Sequence, residues 1–266
     1  MKINKMECKS ILSESKLYNI KYSINPYTGC QHGCKYCYAV FMKKYTNHEE
    51  PWGNFVDVKT NAPDKLKDEL IKAEEGPILL SSVTDPYQPI EEKYGITREI
   101  LEILSKMGFP VSILTKSDLV LRDLDILKKF SPEKISVGFT INFTDDEDRK
   151  NWEPATSTIE DKIKALKKLH SERITTYVHV GPWFDGITNL ERVLERVKDY
   201  IYEFQAENLN LTRKEEIMKT IKRKYPDLEE DYRKICRNIS GYNKRLEKKV
   251  EGIQNKYKVP VSLFID

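Results

Sequence analysis

The sequence predicts an α/β protein: an open (β/α)6 barrel on a parallel sheet, followed by a helical C-terminal extension. Three observations predict it. Apolar stretches of strand length alternate with stretches of helical period from about residue 55 to about residue 205. The connections between them are short, as right-handed crossovers between parallel strands require. Three of the five cysteines fall together, at positions 30, 34 and 37, where a first strand would end.

The elements follow in order. Residues 1–19 show no clear period, and Ser10, Ser13 and Ser15 suggest an irregular arm. Residues 21–25 form a first short strand, and residues 34–44 a first helix with Ala39, Val40, Phe41 and Met42 as apolar cover. Residues 54–59 alternate as an extended segment. Asn61-Ala-Pro63 opens a helix, with proline in its first turn and Leu66, Leu70 and Ala73 on its buried stripe. Gly76-Pro77 stops it before a strand at 78–83. Thr97 caps a helix carrying Ile100, Leu101, Leu104 and Met107, which Gly108 ends. A strand at 111–115, a helix at 123–130 and a strand at 135–141 come next. Ser157 and Glu160 make a capping box ahead of Ile163, Leu166 and Leu169. Residues 174–180 are a β-branched strand. Thr188 and Glu191 make a second box, before a helix lined by Leu190, Val193, Leu194 and Val197. Residues 200–205 are the sixth strand, with a continued helix as the alternative. Beyond residue 210 the chain turns strongly charged. Thr212 and Glu215 cap one helix, a long helical stretch runs over 229–257, and residues 259–265 are a last apolar strand. The expected division is an arm at 1–19, a core at 20–210 and an extension at 211–266.

Composition narrows the class. The chain has 266 residues, 39% hydrophobic and 33% charged, enough for one barrel with many exposed helix faces. No apolar run approaches the roughly 18 residues that span a membrane. The opening Met-Lys-Ile-Asn-Lys lacks the apolar core of a secretory signal, so the expected location is cytoplasmic, with no membrane partner. A net charge of +3 gives no support to a nucleic-acid face. Lys219, Lys222, Arg223 and Lys224 are better explained as a solvated helix face than as a binding patch.

The chemistry concentrates in Asn25-Pro-Tyr-Thr-Gly-Cys30-Gln-His-Gly-Cys34-Lys-Tyr-Cys37-Tyr38. Thiolates spaced C-x3-C-x2-C repel one another unless a cation or cluster neutralises them. Gly29 and Gly33 permit a tight loop. Three thiolates can hold three irons of a [4Fe–4S] cube and leave the fourth open, unlike the four-cysteine sites of electron carriers. The alternative is a structural zinc site with His32 as fourth ligand. A disulfide would leave one cysteine over. Polar residues also gather where strands should end, the functional rim of a parallel barrel. These are Thr84 and Asp85, then Thr115, Lys116 and Ser117, then Thr140 and Asn142, then Glu207, Asn208 and Asn210. His179 reads as a hydrogen-bonded core histidine, Trp183 as packing, and the isolated Cys8 and Cys236 as inert.

C-x3-C-x-aromatic-C, with Tyr36 as the aromatic, resembles the signature of the radical SAM superfamily. The flanking residues from Asn25 to Ala39 are similar to the spore photoproduct lyase-like branch, also labelled DNA-repair-photolyase-like. So are Lys59-Thr-Asn-Ala-Pro63, Val83-Thr-Asp-Pro-Tyr-Gln-Pro89, Ser112-Ile-Leu-Thr-Lys116 and Leu121-Arg-Asp-Leu124. The resemblance covers about residues 20 to 210. It implies a partial TIM barrel and a [4Fe–4S] cluster on Cys30, Cys34 and Cys37. It also implies S-adenosylmethionine as cofactor, cleaved reductively to a 5′-deoxyadenosyl radical, with a flavodoxin or ferredoxin type one-electron donor. Under it Thr84 and Asp85 are placed near the cofactor's amino group, where the branch's relatives carry a Gly-Gly-Glu-like motif and this chain has Ser82-Val-Thr-Asp85. Lys116 meets the carboxylate, Thr140 and Asn142 the ribose, and Val180 and Tyr36 the adenine. Tyr36 and Tyr38 match tyrosines that assist catalysis in the branch. Its hydrogen-returning cysteine has no counterpart in Leu80-Ser-Ser-Val-Thr-Asp85. Repair of the spore thymine dimer is therefore not expected. The substrate class stays open between another nucleic-acid lesion and a small molecule or peptide. A zinc-stabilised binding module without catalysis is the rival of a different kind.

Overall fold

The computed structural model describes residues 1–265. In chain order its elements are β1 (Lys2–Met6), β2 (Leu12–Glu14), β3 (Tyr22–Ile24), β4 (Tyr27–Thr28), β5 (Phe55–Lys59), α1 (Ala62–Leu70), β6 (Ile78–Leu80), α2 (Glu91–Tyr94), α3 (Ile96–Met107), β7 (Val111–Thr115), α4 (Leu124–Leu127), β8 (Ile135–Thr140), α5 (Asp146–Trp152), α6 (Ile159–Ser171), β9 (Thr175–Val180), α7 (Leu190–Val197), β10 (Glu203–Glu207), α8 (Lys214–Lys224), α9 (Glu229–Arg237), α10 (Ile239–Lys256) and β11 (Val261–Phe264). The large sheet has the order β11-β10-β9-β8-β7-β6-β3-β2. Every pair in it is parallel except β2 with β3. Its two edges, β2 and β11, do not meet, so the barrel is open. A second sheet, β1-β5-β4, lies beside the cysteine loop.

Side chains on a strand alternate between faces, and here the two faces differ in kind. One carries Ile78, Leu80, Ile113, Val137, Phe139, Val178, Val180, Phe204 and Ala206, all buried in the core that also takes Leu66, Ile100, Leu104, Leu166 and Val193 from the helices. The other is polar. Ser136 and Ser112 hydroxyls lie 3.1 Å apart, Ser112 lies 3.1 Å from the Tyr177 hydroxyl, and Tyr177 donates to the Ile113 carbonyl at 3.0 Å. Lys116, Thr140, His179, Gln205 and Glu207 continue this inner face towards the C-terminal strand ends. A parallel sheet covered on both faces is apolar throughout; the polar inner face is what an open half-barrel needs to receive a ligand.

Several sequence expectations are corrected. The arm at 1–19 contains strands: β1 pairs with β5 and β2 with β3. All residues of β1 are exposed, so no apolar alternation marks it. The helix expected at 34–44 starts later, as a 3₁₀ helix over Tyr38–Tyr45. The Lys35 amide is spent on the Trp152 carbonyl (3.0 Å) and Cys37 is extended, so Cys34 and Cys37 share no helix face. Thr97 is not a cap: its hydroxyl donates to the Pro86 carbonyl (2.6 Å), and the Glu91 carboxylate takes the Thr97 and Arg98 amides instead. Both capping boxes slip by one residue, to Thr158 accepting from Asp161 and Asn189 accepting from Arg192. Ser157 is drawn away by Asp118, and Thr188 by the Phe184 amide. Thr212, expected to cap a helix, lies inside a 3₁₀ turn over Leu211–Arg213 that Asn210 caps, and α8 opens after Arg213 without a side-chain cap. The helix at 123–130 shortens to α4, after a 3₁₀ turn over Asp118–Asp123. The sixth strand forms two to three residues late, as β10. The long charged helix breaks at Asn238, whose side chain caps α10. The last strand, β11, joins the barrel sheet beside β10. Among the described residues no helix is long and apolar enough to cross a membrane.

Gly138 lies on the inner face under Tyr177, where an added Cβ would stand 2.1 Å from the ring. Gly138→Ala should lower unfolding stability in urea by about 1–3 kcal/mol, the usual range for overpacking. An unchanged midpoint would show that the ring moves aside freely.

Candidate cofactor site at the open barrel mouth

The cysteine loop is held by residues on three strands. Asn25, just past β3, accepts the Ser82 and Val83 amides through Oδ1, both at 3.0 Å, joining the ends of β3 and β6. Gly29 has φ +88°, and a Cβ there would lie 2.5 Å from the Phe55 carbonyl oxygen. Only glycine fits that approach. Its own carbonyl accepts from Thr84 Oγ1 (2.6 Å) and Gln88 Nε2 (3.3 Å). The loop is thus pinned between the two sheets.

All three cysteines are free thiols; Cys30 and Cys34 are buried and Cys37 half-buried. Burial pushes all three thiols above their usual range. Asp85 and Cys37 add to the effect at Cys30, and Glu153 and the other two cysteines at Cys34. Lys116 opposes it at Cys34 and Cys37. Positive charge among the sulfurs, such as the irons of a cluster would supply, would favour their thiolate forms. Among the described residues no three His, Cys, Asp or Glu side chains converge on a point where a single metal ion would sit. Ligands on three corners of a cube need no such point. His32 does not face the sulfurs: Nδ1 lies 2.8 Å from the Ala155 carbonyl and Nε2 3.3 Å from Asp85. The closed four-ligand zinc site loses its fourth ligand, and the donor set fits a three-cysteine cluster.

The structure sorts the other expected residues by how much of their hydrogen-bonding capacity is already used. Asp85 is buried and accepts from Thr115 Oγ1 (2.7 Å), the Tyr87 amide (2.9 Å) and the Lys116 amide (2.8 Å), with His32 against its second oxygen. Burial works to raise its pKa, but His32, Thr115 and Lys116 together hold it down at about 2. This carboxylate ties β7 to the cysteine loop through three hydrogen bonds. Thr84 is engaged with Gly29 and Gln88. Asn142 donates towards Tyr36, Glu153 and the Gly181 carbonyl, and accepts the Gly181 amide (2.8 Å). It is a buried joint between β8 and β9 rather than a free ribose ligand. The Tyr36 hydroxyl donates to Glu153 (2.6 Å), and its ring packs edge-on against Phe184. Val180 lies with Val178 on the helix-packed face, opposite the polar inner face.

Lys116 and Thr140 remain turned to the inner face, 3.4 Å apart. Lys116 is opposed by burial, but Cys34, Glu153 and Asp85 together hold it charged. Tyr38 is 40% exposed at the mouth, and its hydroxyl donates to the Ser82 carbonyl. His179, expected to be a hydrogen-bonded histidine, stands with its nitrogens 3.2 Å from Gln205 Oε1 and 2.8 Å from Glu207 Oε2, on the inner face beside Thr140. Sequence reasoning missed Glu153 and Lys162, whose side chains are 0% and 1% exposed and which pair at 3.4 Å beside Tyr36 and Asn142. Nothing local marks them, since Lys162 sits in an ordinary amphipathic helix. Gln88 was within reach: it belongs to the Val83–Pro89 block, and its side-chain Oε1 accepts the Gln31 backbone amide at 2.8 Å.

Comparison with known proteins agrees with this geometry. The radical SAM superfamily profile matches residues 24–197. A protein of Methanocaldococcus jannaschii described as uncharacterized is 38% identical over 96% of this chain and 95% of its own. A Pseudomonas phage M6 protein named radical SAM Nalpha-GlyT isomerase is 25% identical over 65% of this chain and 36% of its own. Spore photoproduct lyase complexed with dinucleoside spore photoproduct superposes with TM-score 0.71 at 15% identity, over 99% of this chain and 82% of that one. Streptococcus suis SuiB bound to S-adenosylmethionine gives 0.59 at 14% identity, over 92% and 49%. The fold and the profile define a partial TIM barrel of the S-adenosylmethionine-cleaving kind. This chain belongs to the radical SAM superfamily, and its cofactors are a [4Fe–4S] cluster and S-adenosylmethionine.

The buried Lys162–Glu153 pair yields a stability test. Removing one member leaves the other charge buried and uncompensated, which costs about 3–5 kcal/mol. Lys162→Met should show that loss in chemical denaturation. Adding Glu153→Gln to it should restore part of the loss; a strictly additive double variant would contradict the pairing.

Proposed function

We propose that this chain uses a cluster on Cys30, Cys34 and Cys37 to open S-adenosylmethionine, and directs the resulting radical at a substrate bound along the polar inner face. One observation carries it: three free cysteines on one buried loop, pinned by Asn25, Thr84 and Gln88, with the buried Lys116 turned towards Thr140 on that face. When bound, the cluster and S-adenosylmethionine supply one-electron cleavage to methionine and a 5′-deoxyadenosyl radical. The chain's own residues do the positioning. Lys116 takes the cofactor's carboxylate, and the Thr140 hydroxyl is placed for its ribose. Asp85, Asn25 and the Gly29 carbonyl fix the loop that presents the sulfurs. Tyr38 borders the reacting space at the mouth. The core at 20–210 carries this chemistry, and the extension at 211–266 completes the sheet with β11. An oxygen-sensitive cluster suits the reducing cytoplasm, with a flavodoxin or ferredoxin type protein as electron source.

Relatives in fold act on different substrates. One neighbour holds dinucleoside spore photoproduct, and SuiB binds the precursor peptide SuiA. Within this range we favour a lyase-like reaction on a target other than the spore thymine dimer. The inward strand positions from Ser112 to Glu207 carry no cysteine. Cys8 is bonded to Asn61, and Cys236 lies on α9. Among the described residues the inward strand positions thus offer no thiol to return a hydrogen atom to a product radical.

After anaerobic purification, alanine at Cys30, Cys34 or Cys37 should abolish iron and acid-labile sulfide, while Cys8→Ala and Cys236→Ala keep both. The reduced wild type should convert S-adenosylmethionine to 5′-deoxyadenosine and leave dinucleoside spore photoproduct untouched. Full iron in all three cysteine variants would defeat the cluster assignment. Repeated turnovers to intact thymines would defeat the substrate reading.

A further inference from the structure

The inner face carries a second polar group beside Lys116 and Thr140. His179 Nε2 on β9 lies 2.8 Å from Glu207 Oε2 on β10. The two side chains are 11% and 27% exposed, so Glu207 is open to a ligand. The fold is shaped around this pair. A Cβ at Gly181 would stand 2.0 Å from His179 Nε2 and 2.5 Å from Glu207 Oε2. Gly181 is itself fixed by Asn142 at both its amide and its carbonyl. The Trp183 amide donates to the Glu207 carbonyl at 2.8 Å.

A line of hydrogen bonds runs from the pair along β10. Gln205 spends its amide nitrogen on Glu203 (2.9 Å), so its carbonyl oxygen faces His179 Nδ1 at 3.2 Å. Ser262 on β11 donates to the other oxygen of Glu203. Both ring nitrogens of His179 therefore face acceptor oxygens, and only the doubly protonated ring bonds to both. The line is left open at its outer end. Glu207 uses one oxygen, and Oε1 has no hydrogen-bond partner among the described residues. Burial works to raise the pKa of this carboxyl, but His179 holds it below the usual range.

Resting on the radical SAM reading above, we infer that Glu207 Oε1 anchors the substrate by accepting an uncharged amide N–H, of the kind a peptide carries. His179 is the register partner of Thr140, so a group held by the pair lies beside the place of the cofactor's ribose. An ionised carboxylate accepts an N–H strongly. His179 already supplies a cation at 2.8 Å, so the remaining oxygen suits an uncharged donor. A phosphate is opposed by Glu203 and Glu207, which share the inner side of β10. A nucleic acid brings a phosphate with every base. A peptide brings amide N–H groups without one.

The experiment is saturation-transfer NMR on the reconstituted holoprotein with S-adenosylmethionine bound, titrated with N-acetylglycinamide. The wild type should bind this probe, and Glu207→Gln should bind it about tenfold more weakly, as loss of one charge-assisted bond predicts. The new side chain keeps its oxygen on His179 and turns its amide nitrogen to the ligand, donor against donor. N-acetylsarcosine dimethylamide has the same carbonyls and no N–H, and should not distinguish the two proteins. Iron content should be equal in both. Equal affinities for N-acetylglycinamide, or no binding to the wild type, would overturn the inference. An equal loss for both probes would also overturn it, since it gives Glu207 a structural role only. Glu207-dependent binding of thymidine with N-acetylglycinamide ignored would assign the site to a nucleobase and overturn it too. A wild type that takes up no iron and sulfide would instead overturn the cluster reading on which the inference rests.

Discussion

Three sulfurs confined to one buried loop cannot all carry charge unless positive charge lies among them. Much of the structure answers to that electrostatic constraint. Burial pushes all three thiols up, and neighbouring sulfurs add to this at Cys30 and Cys34. Lys116 reaches in from the end of β7 and supplies one compensating cation. A cluster would supply the rest. Once Lys116 is buried, it needs partners of its own, and Glu153 and Asp85 stand near it. Those carboxylates in turn recruit Lys162, His32, Thr115 and Tyr36. The polar interior is therefore a chain of obligations that begins at the cysteines. Each member is satisfied by the next, as buried charge requires.

This order explains why several polar residues near the site serve the fold rather than the ligand. Asp85 and Asn142 sit where a cofactor contact would be expected, yet their hydrogen-bonding capacity is spent on joining strands. A ligand site must be rigid to within a fraction of an ångström, and rigidity comes from such fully bonded joints. What is left facing inward, Lys116 and Thr140 beside His179 and Glu207, is a small set of groups on a rigid frame. The alternating faces of the parallel sheet make this division possible. One face is committed to the helices, and the other is free for chemistry.

The sequence made some of this legible. The alternation of β-branched runs with helical stripes located β6 to β9 and α1, α3, α6 and α7, because their periods are local properties. The spacing of Cys30, Cys34 and Cys37 announced the cluster for the same reason. Pairings set by distant residues were hidden. β1 is exposed along its whole length, and its partner β5 lies some fifty residues away. The first capping box slipped by one residue because Asp118, brought close only by the fold, takes Ser157; the second slipped because Thr188 turns back to the Phe184 amide four residues earlier. Glu153 and Lys162 were unreadable, since a charge just past one helix and a charge within the next look like two surface groups until the helices are packed. Asp85 stood out by position, but its bonds to Thr115, Tyr87 and Lys116 were not legible, because sequence shows a carboxylate but not who already holds it.

The central claim is that three cysteines leave one iron of the cluster to bind S-adenosylmethionine directly. Electron–nuclear double resonance on the reduced protein, with S-adenosylmethionine carrying ¹⁵N in its amino group, tests it most directly. A ¹⁵N hyperfine coupling to the cluster spin, absent before the cofactor is added, is the predicted result. A reduced cluster whose spectrum shows no such coupling at saturating cofactor would contradict the account.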